Sequence, residues 1–133
     1  MTLRDKVQDI YGAFGRGDVP AILAHLAPDV QWEYGIVSTD VPWLKPRRGF
    51  AEVAGFFQES AAAATYKHFQ TKAILEGDHL VVALNDAEFV VNATGKTVVE
   101  EDAVNIWYFN DAGLVTRFRH RLDTHQQWLA CRP

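Results

Sequence analysis

A histidine flanked by arginines marks the last predicted strand, VTRFRHRLD, which covers residues 115–123. Successive side chains of a strand point to opposite faces, so the three arginines share one face and Phe118, His120 and Leu122 share the other. A histidine exchanges a proton near neutral pH, and an apolar pocket keeps its imidazole neutral, as a general base requires. We therefore predict that His120 is catalytic. The alternative is a histidine packed in a wall and hydrogen-bonded to a neighbour.

Three further polar residues could hold a ligand oxygen near this histidine. Asn85 and Asn105 carry amides that can donate hydrogen bonds to a carbonyl or to a developing enolate. Tyr34 carries a hydroxyl that could orient a ligand. We predict all three as catalytic residues, although a buried amide needs partners in any fold and a tyrosine can simply fill a core.

The predicted pocket wall is mostly aromatic. We predict that the substrate contacts Tyr11, Phe14, Trp32, Trp43, Phe56, Phe57, His68, Phe89, Trp107, Phe118 and Leu122. Core packing is the alternative for each of the aromatic residues. Trp43 differs from the others because it lies in the loop sequence TDVPWLKP, which could cap the pocket.

Composition and motifs favour small molecules or other proteins as partners, and the mostly apolar pocket wall favours a small hydrophobic molecule. The net charge of −4 argues against a nucleic-acid binder. No cluster has metal-ligand spacing, and no phosphate loop or nucleophile elbow occurs, so we predict no metal and no cofactor. The charged start MTLRDK and the lack of any run of about 20 apolar residues predict neither a signal peptide nor a membrane helix. The single cysteine fits a reducing compartment, and we expect a cytoplasmic protein.

The first half of the sequence reads as three helices, one strand and a loop. KVQDIYGAFGRGD has apolar residues at helical spacing and should end at the two glycines of GRG. Asp18 should cap a second helix, VPAILAHLA, whose apolar side extends to Leu26. Residues 29–37 alternate as a strand, and residues 38–49 form a loop. FAEVAGFFQESAAAA is a third helix that should bury Phe50, Val53, Phe56 and Phe57.

The second half reads as an antiparallel meander. Four alternating stretches, KHFQTKAILEG, LVVALNDAEFVVN, TVVEEDAVNIWYF and LVTRFRHRLD, are separated by the turns EGDH, NATGK and NDAG. Helices followed by strands predict an α+β fold, with the helices packed on one face of a curved antiparallel sheet. We expect residues 1–133 to form a single domain.

Odd and even numbering assigns the two faces of this sheet. The odd positions of the two strands before the last carry alanine, asparagine and aromatic residues, which predicts an apolar inner face with a few polar groups. The arginines on the outer face need acidic partners from neighbouring strands, and we predict Asp86, Glu88, Glu100 and Asp102 in this role. Glu101 falls on the inner face unless a bulge shifts it or it sits at the rim.

The order of elements resembles the SnoaL-like branch of the nuclear-transport-factor-2-like superfamily, which includes the ketosteroid isomerases. AFGRGD with LAPDVQWE behind it, RRGFAEVAGFF and FNDAGLVTRFRHRLD carry the resemblance. It implies a cone-shaped, strongly bent antiparallel sheet that wraps around three N-terminal helices and encloses an apolar pocket. It also implies a homodimer that pairs through the outer sheet face. Other members are limonene-epoxide hydrolases, polyketide cyclases, scytalone dehydratases and non-catalytic subunits.

The catalytic residues of two members do not carry over. Limonene-epoxide hydrolases have an arginine and two aspartates where this sequence has Asn85, Ala87 and His120, so their water-activating set is absent. Ketosteroid isomerases place their proton-shuttling aspartate at the position of Tyr34 and a second, protonated aspartate at that of Asn105.

The tyrosine of the ketosteroid isomerases falls near Ile10 or Tyr11 of this sequence. Their shuttling carboxylate is missing, because the nearest carboxylate, Glu33, lies one residue away on the wrong face.

What remains of the resemblance is the location of a pocket. It implies a small-molecule enzyme that isomerises, cyclises or dehydrates a hydrophobic, carbonyl-bearing substrate, with His120 moving the proton. One alternative is a ligand-binding protein or accessory subunit without chemistry, which the missing carboxylates favour. Another is a plain dimerisation module, which predicts a filled interior with no cavity.

Overall fold

Helices pack against an open six-stranded sheet. The computed structural model describes residues 1–35 and 39–133. The helices in this part are α1 Leu3–Arg16, α2 Val19–Leu23, α3 Gly49–Ala63 and α4 Thr124–Cys131. The strands are β1 Leu26–Glu33, β2 Arg47–Arg48, β3 Ala64–Gly77, β4 Leu80–Val91, β5 Thr97–Phe109 and β6 Val115–Arg121, in the order β2-β1-β6-β5-β4-β3. The predicted α+β class is confirmed. Within these residues, no helix has the length and apolar character needed to cross a membrane.

The sheet is antiparallel except at one contact. β1 runs parallel to β6, with Trp32 opposite Phe118 and Glu33 opposite Arg119. The predicted bent antiparallel sheet is confirmed, and the parallel contact of β1 with β6 is a detail that the sequence analysis does not anticipate. Hairpin turns fix the direction of the later strands, whereas no turn joins β1 to β6, which lie at opposite ends of the sequence.

Capping residues define both ends of α1. Thr2 and Asp5 bond each other's backbone N–H groups at the start of the helix. Gly17 ends it with a left-handed φ of 68°. Gly15 remains inside the helix, so the prediction that it helps to stop α1 was wrong. The helix buries three apolar residues, Val7, Ile10 and Ala13.

One boundary and one buried position in the first half differ from the predictions. Leu26 begins β1 rather than closing α2. Phe50 is 40% exposed at the start of α3, whereas Val53 is fully buried. Residues 36–38, which end the predicted strand and begin the predicted loop, lie outside the described residues.

A bulge reverses the facing of side chains within β5. Asp102 has a left-handed φ of 57°, and the register between β4 and β5 shifts so that Ala87 lies opposite Glu100. As a result Glu100 points inward and is only 6% exposed, whereas Glu101 is exposed. The predicted outward position of Glu100 was wrong, and the bulge is the reason why Glu101 avoids the inner face.

The arginines of β6 bind a carboxylate of β1 rather than of β4 or β5. Glu33 Oε1 lies 2.9 Å from Arg117 Nε and 3.5 Å from Arg119 Nε. Two of the predicted partners, Asp86 and Asp102, instead bind a lysine of β3. The prediction was wrong because the β5 residues opposite the arginines carry no charge; they are Val104, Ile106 and Tyr108.

The C-terminal helix α4, which the sequence patterns do not predict, docks on the inward-facing Glu100. Asp123 caps the helix by accepting a hydrogen bond from the Gln126 backbone N–H at 3.0 Å. The Glu100 carboxylate accepts hydrogen bonds from the Asp123 backbone N–H and from Gln127 Nε2, both at 3.1 Å. Burial raises the pKa of Glu100 in spite of these two bonds.

Replacing Glu100 with Gln should stabilise the fold at neutral pH. Because its pKa is raised in the folded state, the folded protein binds this proton more tightly than the unfolded chain does, so ionisation opposes folding as the pH rises above the usual glutamate range. The new amide can also donate to Gln127 Oε1, which is buried without a partner. We expect E100Q to unfold at a higher urea concentration than the natural chain at pH 7, with a smaller gain at pH 4.

The matched control is Glu101→Gln, which removes the same charge from an exposed neighbour. It should leave the urea midpoint nearly unchanged. A less stable E100Q at pH 7 would contradict this account of how α4 docks.

Candidate ligand-binding site

Two adjoining cavities lie between the helices and the concave side of the sheet. The inner cavity has a volume of about 80 Å³ and is lined by Ile10, Tyr11, Phe14, Ile22, Trp32, Phe56, Phe57, Ser60, Tyr66, Phe69, Asn105, Trp107, Phe118 and His120. The outer groove has a volume of about 690 Å³ and is lined by Tyr11, Gly12, Phe14, Gly15, Gly17, Val19, Ile22, Phe57, Ser60, Ala61, Ala64, Tyr66, Phe69 and Thr71.

Three neighbouring strands form the deep wall of the inner cavity. Asn105 of β5 lies opposite His120 of β6, and Trp107 lies opposite Phe118. The Trp32 ring from β1 stacks on Phe118 with centroids 4.0 Å apart. Because β1 and β6 are parallel and in register here, the first and last strands place their aromatic rings against each other.

Five aromatic side chains line both the inner cavity and the outer groove, and four of them pack together around Phe14. This aromatic collar consists of Phe14, Phe57, Tyr66 and Phe69, each of which lines both cavities. Phe14 contacts the other three, with ring centroids 5.3 to 6.2 Å apart. The collar therefore borders both the groove and the inner cavity that holds the polar groups of the deep wall.

The Tyr11 hydroxyl is the centre of a buried hydrogen-bond network. Three nitrogen atoms approach it: Asn105 Nδ2 at 2.6 Å, Trp107 Nε1 at 3.2 Å and Asn85 Nδ2 at 3.3 Å. Thr71 Oγ1 donates to Asn85 Oδ1 at 2.8 Å and so fixes the orientation of that amide. Burial raises the pKa of Tyr11, so the hydroxyl keeps its proton at neutral pH.

The proton of that hydroxyl determines how the Asn105 amide is oriented. A phenol donates one hydrogen bond, and with three nitrogen donors around it the Tyr11 proton has no acceptor. Asn105 Oδ1 is meanwhile buried without a partner. Reversing the amide lets Tyr11 donate to Oδ1 across the shortest contact and leaves the NH₂ group unpaired. In either orientation one end of Asn105, a residue only 7% exposed, has no protein partner among the described residues.

His120 lies beside this unpaired amide in an uncharged environment. Its imidazole is half-buried, with centroids 5.9 Å from the Tyr34 ring and 6.0 Å from the Phe118 ring. Burial, with a smaller contribution from the charge of Arg121, lowers the pKa of His120 to about 4. The imidazole is therefore neutral at physiological pH and can accept a proton or a hydrogen bond.

Two of the residues predicted to be catalytic, Asn85 and Tyr34, do not line the inner cavity and contact residues that do. Asn85 does not line it, and its amide contacts the Tyr11 hydroxyl. The Tyr34 hydroxyl accepts a hydrogen bond from Trp32 Nε1 at 2.9 Å and so helps to orient the indole ring. Both residues therefore hold the wall in place and do not reach a ligand in this conformation.

Four residues predicted to contact the substrate line neither cavity. Trp43, at 8% exposure, and Phe89, at 4%, belong to the hydrophobic core, and Leu122 packs against that core. His68 is exposed, because a register shift between Tyr66 and His68 puts the histidine beside Glu88 on the outer face. None of these four residues lines a cavity in this conformation, and their contact with a substrate stays a prediction.

The sequence reading also missed part of the lining. In the inner cavity the residues that were not predicted are Ile10, Ile22, Ser60, Tyr66 and Phe69. Ile10 belongs to the apolar stripe of α1 and could have been included on that basis. Tyr66 and Phe69 could not, because they share a face only through the register shift in β3.

Neither cavity is lined by a charged side chain from the described residues. Nor does that part of the chain contain three or more His, Cys, Asp or Glu side chains arranged to hold a metal ion. The arrangement suits a neutral, largely apolar ligand that makes one or two hydrogen bonds at the deep wall.

An α+β domain with a curled sheet and a cavity between sheet and helices defines the class of nuclear-transport-factor-2-like proteins. The family model of the SnoaL-like domain matches residues 7–118, and the chain belongs to this family. Among curated proteins, no sequence match was found.

Solved structures show the same fold. A protein of this class from Burkholderia thailandensis is 24% identical, with a TM-score of 0.86 and coverage of 100% of this chain and 99% of that one. A protein assigned as a polyketide cyclase from Xanthomonas campestris pv. campestris is 24% identical, with a TM-score of 0.73 and coverage of 97% and 98%. An epoxide hydrolase of the LEH-like type from M. tuberculosis is 15% identical, with a TM-score of 0.71 and coverage of 96% and 87%. At these identities the likeness concerns the fold alone.

Replacing Tyr11 with Phe removes only the hydroxyl group, but it should destabilise the protein strongly. The buried amides and the Trp107 indole that surround this hydroxyl would lose their shared partner. Leaving a buried polar group unpaired costs about 1–3 kcal/mol. We therefore expect Y11F to lower the free energy of unfolding by about 2 kcal/mol or more, measured by urea denaturation.

The control is Tyr108→Phe on the outer face, where the hydroxyl makes no hydrogen bond within the described residues and Arg119 lies over the ring. It should change the free energy of unfolding by less than about 0.5 kcal/mol. Equal losses for the two variants would contradict the central role of the Tyr11 hydroxyl.

Proposed function

We propose that this SnoaL-like domain is a cofactor-independent enzyme that isomerises, cyclises or dehydrates a hydrophobic, carbonyl-bearing compound. The observation that carries the proposal is that His120 lies opposite Asn105 across β5 and β6 in an aromatic cavity without charged walls, and that one end of the Asn105 amide has no partner there among the described residues; this end is the NH₂ donor when the amide is reversed. A neutral base and a neutral hydrogen-bond donor next to each other are what the removal of a proton beside a carbonyl group requires.

The proposed reaction begins with proton transfer to His120. The imidazole takes a proton from the carbon next to the carbonyl, and the electron pair of the broken C–H bond moves onto the carbonyl oxygen to form an enolate. With the amide reversed, so that Tyr11 donates to Oδ1, the Asn105 NH₂ group donates a hydrogen bond to that oxygen as its negative charge develops. The imidazolium then returns the proton, either to a different carbon, which is isomerisation, or to a departing hydroxyl, which is dehydration.

The low polarity around His120 affects the imidazole both before and after it takes the proton. The low pKa of His120, about 4, makes it a weak base as long as no negative charge lies beside it. An enolate formed beside it is an opposite charge, which favours the protonated imidazole and raises its pKa when the base is needed. Tyr11, Asn85 and Tyr34 are positioning residues, because they hold Asn105 and Trp32 and do not reach the reacting atoms.

The relatives fit this reaction class without specifying it. The likeness to a protein assigned as a polyketide cyclase is compatible with proton transfer next to carbonyl groups. The likeness to an LEH-like epoxide hydrolase is not accompanied by the residues implied for that chemistry, since Asn85, Ala87 and His120 stand in their places.

Exchange of a carbon-bound proton tests the proposal without knowledge of the natural substrate. β-Tetralone in heavy water should exchange its acidic ring protons faster with the protein than without it, as followed by proton NMR. His120→Gln should reduce the protein-dependent rate by about 10²-fold or more. Because His120 is neutral well above pH 4, the rate should be flat from about pH 6 to 8 and fall as His120 becomes protonated in acid.

The matched control is His68→Gln, which removes an exposed histidine that lines neither cavity. It should exchange protons at the natural rate. An unchanged rate in H120Q would remove the histidine from the mechanism.

A second candidate function is ligand binding without chemistry. The specific observation in its favour is that no carboxylate from the described residues lines either cavity, so the base available is a histidine of low pKa. This candidate predicts that β-tetralone shifts the melting temperature of the protein while its protons exchange no faster than in buffer.

We also propose that the chain forms a homodimer through its outer sheet face. Val104, Ile106 and Tyr108 of β5 lie on that face and are half-buried in one chain. A self-complementary contact between two copies would cover them. Sedimentation at micromolar concentration should show a dimer, and Ile106→Glu should give a monomer of 15.0 kDa.

The control variant is Leu75→Glu, which places the same charge at an exposed apolar residue on the edge strand β3. It should leave the dimer intact. A monomeric natural chain would contradict the proposal.

A further inference from the structure

Two β-bulges lie side by side in the sheet, one on each side of β4. At the first, β3 has an extra residue relative to β4, which is Lys72. At the second, β5 has the extra residue, and Asp102 takes its left-handed φ of 57° there. Asn85 of β4 pairs with Thr71 on one side and with Ala103 on the other, so both bulges begin beside it. The position of Asn85 therefore depends on both irregularities.

Three charged side chains bridge the bulges on the outer face of the sheet. Asp86 Oδ1 accepts a hydrogen bond from the Asp102 backbone N–H at 3.0 Å. Lys72 Nζ lies 3.0 Å from the same oxygen atom and also contacts Asp102 Oδ1. Lys72, Asp86 and Asp102, which we call the outer triad, thus link three adjacent strands. The Asp102 N–H and, after it, the Lys72 ammonium lower the pKa of Asp86, so this carboxylate is ionised at neutral pH.

The residues next to the outer triad in the chain belong to the concave side of the sheet. They are Thr71, Asn85 and Ala103, and Asn85 is only 2% exposed. Thr71 Oγ1 donates to Asn85 Oδ1, and Asn85 Nδ2 contacts the Tyr11 hydroxyl. Because neighbouring residues of a strand point to opposite faces, the backbone that carries the outer triad also carries the network around Tyr11.

The outer triad acts through geometry, because ion pairs between exposed side chains contribute little to stability. A left-handed φ is unfavourable for a residue other than glycine and persists only where the surrounding contacts fix it. At Asp102 these contacts are the hydrogen bond of its backbone N–H to Asp86 and the ion pair of its carboxylate with Lys72. Removing them should let the bulge in β5 rearrange.

We propose that Asp86, together with Lys72 and Asp102, is a positioning residue for the candidate site on the opposite face of the sheet. The outer triad fixes both bulges, the bulges fix the Asn85 amide, and this amide helps to fix the Tyr11 hydroxyl. Asp86 lines neither cavity, so it acts without contacting a ligand. Its effect on the network follows from the geometry alone, whereas its effect on catalysis rests on the proposed function.

Hydrogen exchange at two indole groups tests the link between the two faces. Trp107 Nε1–H donates to the Tyr11 hydroxyl, whereas Trp32 Nε1–H donates to the Tyr34 hydroxyl and serves as an internal reference outside the network. Both can be followed by ¹H–¹⁵N NMR in heavy water, with each resonance assigned by a Trp→Phe variant. Asp86→Ala should speed exchange at Trp107 by about tenfold or more and leave Trp32 within about twofold of its natural rate.

Two further variants test whether Asp86 acts through the bulge. Glycine adopts a positive φ without strain, so adding Asp102→Gly to Asp86→Ala should return Trp107 exchange to within about threefold of the natural rate. Failure of this rescue would contradict the proposed route. Lys72→Met keeps the aliphatic stem and removes the ammonium group, and it should speed Trp107 exchange by a smaller factor. It also provides the result if Asp86→Ala does not fold.

The matched control is Glu88→Ala, which removes a carboxylate from the same face of β4 outside the outer triad. It should leave both indole groups at their natural exchange rates. Unchanged Trp107 exchange in both Asp86→Ala and Lys72→Met would overturn the proposal.

Turnover adds a readout that a loss of stability alone would not produce. In the β-tetralone assay, Asp86→Ala should lower kcat about tenfold and leave KM within about twofold, because the residues that line the cavities are unchanged. If Asp86→Ala speeds Trp107 exchange while the natural protein does not accelerate proton exchange of β-tetralone, the catalytic proposal fails and the positioning role of the outer triad stands.

Discussion

One hydroxyl group holds the concave side of this fold together. Tyr11 extends from α1 and meets the amides of two different strands, Asn85 of β4 and Asn105 of β5, together with the Trp107 indole. Each of these groups is buried and would be costly to leave without a partner, so the network favours the observed position of the helix on the sheet. The same constraint uses up one end of the Asn105 amide and directs the other end away from the network. The same contact that packs α1 on the sheet therefore leaves one end of the Asn105 amide available for a ligand.

The rest of the interior around the Asn105 amide is apolar. Aromatic rings from β1, β5 and β6 surround it, with Trp32, Trp107 and Phe118 in mutual contact. The charged residues of the same strands, such as Glu33 and Arg117, alternate to the outside and neutralise each other there. A deep wall of low polarity lowers the pKa of His120 and leaves a neutral imidazole beside a neutral amide. The alternation of side chains along each strand thus puts the ion pairs on the outer face of the sheet and the candidate site on the inner face.

The period of two is also what made most of the fold predictable. On β4 the odd residues from Val81 to Val91 are all buried, as alternation in the sequence indicates. Prediction failed where the backbone departs from that period. The bulge at Asp102 turns Glu100 inward, and the shift in β3 turns His68 outward, and neither change is marked by a glycine or a proline. The docking of α4 and the pairing of Glu33 with Arg117 depend on which elements meet in three dimensions, and local sequence carries no signal for that.

The parallel contact between β1 and β6 has a consequence for the order in which the chain can fold. During synthesis on the ribosome, Trp32 emerges long before Phe118, its stacking partner. Until β6 has emerged, β1 has no long neighbour in the sheet, since β2 contributes only two residues. A long-range pairing of this kind closes a loop of most of the chain and makes folding slow compared with hairpin formation. A nascent chain shortened anywhere before residue 115 exposes an indole and an unpaired strand, which are the features that chaperones recognise and that drive aggregation.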